Sequence, residues 1–100
     1  MTSIKVSDVI VSFLLQKGIT TVFGIIGSAN SHIYNSCAEA GITIFNTHNE
    51  QAALLAAGAY YRTSGKLALA LVTAGGGATN AITGVVSSWA DSIPLIVISG

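Results

Sequence analysis

The stretch Leu67-Ala68-Leu69-Ala70-Leu71-Val72, followed by Thr73-Ala74-Gly75-Gly76-Gly77, decides the fold class. It is apolar on both alternating faces, which suits a central strand of a parallel sheet covered by helices on each side. Gly65 and Lys66 make the turn before it. Upstream, Asn46 and Thr47 introduce a helix from about His48 to Thr63, where Ala52, Ala53, Ala56, Ala57 and Tyr60 supply mostly small residues for close packing. The β-branched and aromatic run Ile42 to Phe45 reads as the strand before that helix, and a weaker helix over Ser31 to Ala40 ends at Gly41. Further upstream, Thr20 to Phe23 is a strand that opens at Gly24 into a loop reaching Asn30. Val6, Val9, Ile10, Phe13 and Leu14 recur at helical spacing ahead of it, with Gly18 as a left-handed stop. Downstream, Ala78 to Trp89 reads as one helix in which Gly84 is a local cost, and Pro94 starts a last strand through Ile98. Helices and strands that alternate without hairpin signals predict an α/β domain of three layers, with a mostly parallel sheet and right-handed crossovers.

The 100 residues fit one domain. Only 8% are charged and 51% are apolar, with a mean hydropathy of +0.69, against roughly 25% charged in an ordinary globular domain. So small a domain buries only about 60 to 65% of the surface its unfolded chain exposes, so this composition predicts further burial against a partner subunit or other parts of the same polypeptide. Residues 1–100 therefore read as a piece of something larger. Lys5, Lys17, Arg62 and Lys66 balance Asp8, Glu39, Glu50 and Asp91 to a net charge of zero, which leaves no basic field for nucleic acid. The lone Cys37 reads as a small buried hydrophobe in a reducing compartment. Lys5 and Asp8 interrupt any signal-peptide core, and glycines and hydroxyls break the uncharged run Leu67 to Ala90, so the expectation is a cytoplasmic protein with no membrane span.

Glu50 is the only charged residue between Glu39 and Arg62, and it falls in the first turn of the helix after a strand. Open α/β sheets bind ligands at that end of their strands. Thr47-x-x-Glu50 equally matches a capping box, so the residues alone leave a structural and a chemical reading open. A protonatable carboxyl in a dry cleft can exchange a proton with a heteroaromatic ring nitrogen. His48 diverges from Glu50 on a helix, and neither it nor His32 sits at metal-ligand spacing, so no metal is expected within this chain. The loops Gly24 to Ser28 and Thr73 to Gly77 allow close backbone approach to a ligand, but match neither the dinucleotide nor the P-loop fingerprint. Asn80 either caps the following helix or turns its amide toward the pocket. Ser88 and Ser92 lack the setting of a hydrolase nucleophile, and Trp89, Tyr34, Tyr60 and Tyr61 read as core or interface aromatics.

Taken in order, Val22-Phe23-Gly24-Ile25-Ile26-Gly27, His48-Asn49-Glu50-Gln51-Ala52-Ala53, Thr73 through Asn80, and Asp91-Ser92-Ile93-Pro94-Leu95 resemble the N-terminal pyrimidine-binding domain of thiamine diphosphate-dependent enzymes. The resemblance is greatest to the acetolactate synthase and 2-oxo acid decarboxylase group and runs through almost all of the chain. It implies the thiamine diphosphate-binding fold, with Glu50 binding the aminopyrimidine ring and promoting its imino form. Ile26, Thr73, Gly75 and Asn80 would enclose the same ring. The implied reaction is decarboxylation of a 2-oxo acid such as pyruvate followed by carboligation. A decarboxylase or lyase without carboligation, or a non-catalytic or regulatory thiamine diphosphate-binding relative, is the alternative. The resemblance also implies a separate diphosphate-binding domain carrying Mg2+, a homodimer or homotetramer that brings the two domains together, and an inactive isolated fragment; FAD, held by some relatives, is left open. Two departures bear on substrate class more than on fold: Ile26 stands where the family commonly has proline, and Ala74-Gly75-Gly76-Gly77 stands where it has Ser-Gly-Pro-Gly.

Overall fold

A computed structural model describes residues 3–100. Its elements run α1 (Val6–Gln16), β1 (Thr21–Gly24), α2 (Ser31–Glu39), β2 (Thr43–Asn46), α3 (Glu50–Ser64), β3 (Leu69–Val72), α4 (Gly76–Asn80), α5 (Ile82–Ala90) and β4 (Ile96–Ser99). The strands form one sheet of order β2-β1-β3-β4, and every neighbouring pair is parallel. β3 is buried along its whole length, as its two-faced apolar sequence requires.

Alternation along the strands feeds two separate cores. Val22, Leu69 and Leu71 point to one face, where Val11 and Leu14 of α1 and Tyr34 and Cys37 of α2 cover them. Ala70 and Val72 point to the other, beneath Ala53, Leu54 and Ala57 of α3 and beside Ala81. The three layers expected from the sequence are thus the α1 and α2 pair, the sheet, and α3 with α4 and α5. Phe23 and Phe45 stack on the α3 face at a centroid separation of 5.3 Å, in register across β1 and β2.

The chain leaves β1 for the edge strand β2, then returns across β1 to β3. The carboxyl ends of β1 and β3 therefore flank a switch point, where connections diverge to opposite faces and leave a crevice. Two expectations are corrected here. The helix read over Ala78 to Trp89 is two, because the chain turns at Ala81, whose N–H donates to the Ala78 carbonyl. The loop read over Gly75 to Gly77 is shorter, since α4 already begins at Gly76. Trp89, read as a core or interface aromatic, is 87% exposed on α5, which removes the core half of that reading. Other element boundaries fall within about two residues of expectation.

Gly24 holds the switch point closed. A Cβ there would overlap the Leu71 carbonyl and the Tyr34 hydroxyl, and that hydroxyl donates to the same carbonyl at 3.3 Å. Burial first, and Cys37 second, push the Tyr34 phenol up to about 12. Gly24→Ala is expected to cost about 1 to 3 kcal/mol, read from urea unfolding, while Gly76→Ala, whose Cβ meets nothing, should leave the midpoint in place. A phenol raised from 10.0 in the unfolded chain to about 12 in the folded one keeps its proton longer when folded. Its contribution is full below pH 10.0 and is lost as pH rises through about 12. Tyr34→Phe should therefore flatten part of the alkaline fall in stability, measured as the difference in urea midpoint between variant and parent across that window.

Candidate functional site

The crevice is built from three loop ends. The loop after β1 folds on Asn30, a fully buried amide: its Oδ1 accepts from the Gly27 N–H at 2.8 Å and its Nδ2 donates to the Ile25 carbonyl at 3.2 Å. Ile26 is left 61% exposed, in an open groove with Ser31, Tyr34 and Ile44 on the α2 side of the sheet. Nothing singled out Asn30 in the sequence, although an asparagine closing a glycine-containing loop before a helix was the available signal.

The strand β2 continues one step past its end, as the Thr47 N–H donates to the Gly24 carbonyl at 2.9 Å. Thr47 then spends its hydroxyl on the Asn49 carbonyl at 2.7 Å. Asn49 is the N-cap of α3, extended at φ −157° and ψ 169°, and its side chain accepts from the Ala52 N–H at 2.8 Å. The Thr47 to Glu50 capping box is therefore not formed. Glu50 stands at the first helical position with its carboxylate free for other partners.

Glu50 is half-buried as a residue, and its carboxylate faces the third loop end. Its Oε1 accepts from the Asn80 Nδ2 at 2.8 Å, so the amide turns to the crevice rather than capping α5. Its Oε2 lies 3.3 Å from the point a Cβ on Gly77 would occupy. Thr73 fills the space beneath: a Cβ on Gly27 would stand 2.7 Å from its Oγ1, and one on Gly77 2.8 Å from its Cγ2. Glu50, Asn80, Thr73 and Gly77 are thus brought together. Gly75 caps α4 at φ 77° and is exposed, and His48 is exposed ahead of α3. Among the described residues no three His, Cys, Asp or Glu side chains gather at a common metal site, and no helix is long and apolar enough to cross a membrane.

Known proteins are similar to this chain in sequence and fold. Residues 4–100 match the model for "Thiamine pyrophosphate enzyme, N-terminal TPP binding domain". The acetolactate synthase large subunit of Haemophilus influenzae is 40% identical over 101 aligned residues, covering 100% of this chain and 18% of the relative. The large subunit of acetolactate synthase isozyme 3 from Escherichia coli is 41% identical, covering 94% of this chain and 17% of its own length. The chain thus spans less than a fifth of the curated relatives it matches. An X-ray structure from Mycobacterium smegmatis, provisionally assigned as a thiamin diphosphate-dependent enzyme, superposes with a TM-score of 0.89 at 31% identity, over 98% of this chain and 19% of that one.

Asn30→Ala removes both bonds that close the loop after β1 and leaves the Gly27 N–H and the Ile25 carbonyl without that partner. The expected cost is about 1 to 3 kcal/mol in urea unfolding, accompanied by faster hydrogen exchange at the Gly27 amide.

Proposed function

Because the chain belongs to the thiamine pyrophosphate enzyme family, as its N-terminal TPP binding domain, we propose that it supplies the pyrimidine-binding half of an acetolactate synthase-like active centre in which Glu50 is the catalytic carboxylate. The observation that carries this reading is the Glu50 carboxylate, held by Asn80 over the bare backbone of Gly77 at the carboxyl end of the sheet. The residues present suit an aminopyrimidine. A carboxylate and a threonine hydroxyl offer hydrogen-bonding partners for ring nitrogens and an exocyclic amine, and the absence of a side chain at Gly77 leaves its backbone bare beside Oε2.

When bound, thiamine pyrophosphate supplies the electron sink that ordinary side chains lack for breaking the bond between the carbonyl and carboxylate carbons of a 2-oxo acid. The chain's own residues bind and prepare that group. Glu50 would exchange a proton between its carboxylate and the bound ring. Thr73 and Gly75 line the same end of the sheet, whereas Ile26, which stands where the family commonly has proline, sits in the groove on the α2 side and would reach the ring only from across the strand ends.

The reading extends to the whole enzyme. Its substrate is a 2-oxo acid such as pyruvate, carboligated after loss of carbon dioxide, as the names of the acetolactate synthase relatives suggest. The diphosphate and its Mg2+ fall to a separate diphosphate-binding domain, in keeping with the greater length of those relatives. Homodimers or homotetramers would bring that domain against this one. The exposed Ile82, Val86 and Trp89 on α5, and Val6, Val9 and Phe13 on α1, favour such burial. The unpaired, buried thiol of Cys37 suits a cytoplasmic setting.

The full-length parent enzyme with pyruvate, thiamine pyrophosphate and Mg2+ is expected to release carbon dioxide and form acetolactate, followed by product mass. Cofactor binding without carbon dioxide release from a broad panel of 2-oxo acids would instead identify a non-catalytic relative. In the same protein, Glu50→Gln should slow exchange of the cofactor's thiazolium C2 proton by about 100-fold or more, the scale of general acid-base catalysis. Undiminished exchange would remove Glu50 from the reaction.

A further inference from the structure

Resting on the function proposed above, we propose that Asn80 is a positioning residue that makes the two oxygens of Glu50 unequal, clamping Oε1 and leaving Oε2 to exchange the proton. In a free carboxylate the two oxygens are equivalent. Here Oε1 accepts the Asn80 amide at 2.8 Å, while Oε2 faces the bare backbone of Gly77. A carboxylate only accepts, so the amide nitrogen of Asn80 must be the group turned toward it.

Both ends of the bond are anchored by the fold. Glu50 is fixed by the start of α3 behind the Asn49 cap. Asn80 is the last residue of α4, followed by Ala81, which is 2% exposed in the core beneath α3. The break between α4 and α5 turns Asn80 back toward α3. Within α5, Gly84 lies so close to Leu54 that a Cβ there would overlap that side chain, so the two helices sit at close approach. Small shifts between α3 and α5 would be felt directly at the Glu50 to Asn80 distance.

The residue type fits a proton cycle. With Glu50 ionised, the amide donates to one carboxylate oxygen. With Glu50 protonated at Oε2, Oε1 becomes the carbonyl oxygen of the neutral acid and still accepts the same bond. A lysine or arginine in place of Asn80 would hold Glu50 as the anion and oppose its protonation. A neutral amide fixes the side chain in both states and steers the proton to the oxygen over Gly77.

A double-mutant cycle in the full-length enzyme tests this, using thiamine pyrophosphate and Mg2+. Asn80→Ala is expected to slow C2-proton exchange about tenfold, the low end for a bond to a charged group because this one is solvent-exposed. The dissociation constant for thiamine pyrophosphate, titrated into the apoprotein, should change by less than about threefold, and the melting temperature should hold, as a positioning role requires. In a Glu50→Gln background the same Asn80→Ala change should add less than about twofold. An equal loss in both backgrounds overturns the inference, since Asn80 would then act on its own, and so does an Asn80→Ala protein with undiminished exchange. Glu50→Gln with undiminished exchange overturns the function reading itself. In the cofactor-free protein, the labelled Asn80 side-chain amide should shift on Glu50→Gln, and an unmoved resonance overturns the clamp.

Discussion

Thr73 occupies space that two side chains have vacated, and the rest of the crevice depends on that packing. Its methyl and hydroxyl lie where Cβ atoms at Gly27 and Gly77 would come within 2.7 to 2.8 Å. One small β-branched residue at the end of β3 thereby joins the loop after β1 to the start of α4. Oε2 of Glu50 then faces backbone rather than a side chain. A recess that accepts a flat ring needs this kind of floor, rigid because it is interlocked and shallow because nothing projects from it.

The same economy of volume governs the helices above. α3 is rich in alanine on the face it turns to the sheet, with Ala53 and Ala57 almost fully buried. Gly84 of α5 lies against Leu54, and Gly58 of α3 lies near the Ser88 hydroxyl. A glycine inside a helix costs about 0.5 to 1 kcal/mol relative to alanine, and here close interhelical contact offsets that cost. At the far end, Arg62 and Asp91 form an exposed ion pair between the end of α3 and the residue after α5. It contributes little energy by itself but closes the pair of helices at the end away from Glu50.

Much of this was legible in the sequence, for identifiable reasons. β3 was readable because Leu67 to Val72 is apolar on both faces, and α1 because its apolar residues repeat at helical spacing and stop at Gly18. Glu50 stood out as the only charge in a long neutral stretch, and its position at the start of α3 followed. What failed was anything set by contacts between distant residues. Thr47 and Asn49 are both good caps two residues apart, and the choice between them is made by the bond from the Thr47 N–H to Gly24, more than 20 residues away. The break at Ala81 was invisible because alanine is a strong helix former, and Ala81 lies in the core beneath α3 rather than following its own preference. The partner of Asn80 lies 30 residues away in sequence, so its amide could be read only as a cap or a pocket group.

Cys37 gives the molecule an internal clock. It is the chain's single cysteine, fully buried on α2 among the side chains of α1, α2 and the sheet, and burial pushes its thiol up. A thiol reagent can reach it only when the α1 and α2 layer lifts from the sheet, and the raised thiol keeps it sluggish even then. The opposite layer, α3 with α4 and α5, carries Glu50 and Asn80 and has no cysteine. The rate at which Cys37 becomes labelled therefore reports how often the α1 and α2 layer opens, by itself or with the whole domain, and local motion of the layer that holds the carboxylate leaves it unchanged.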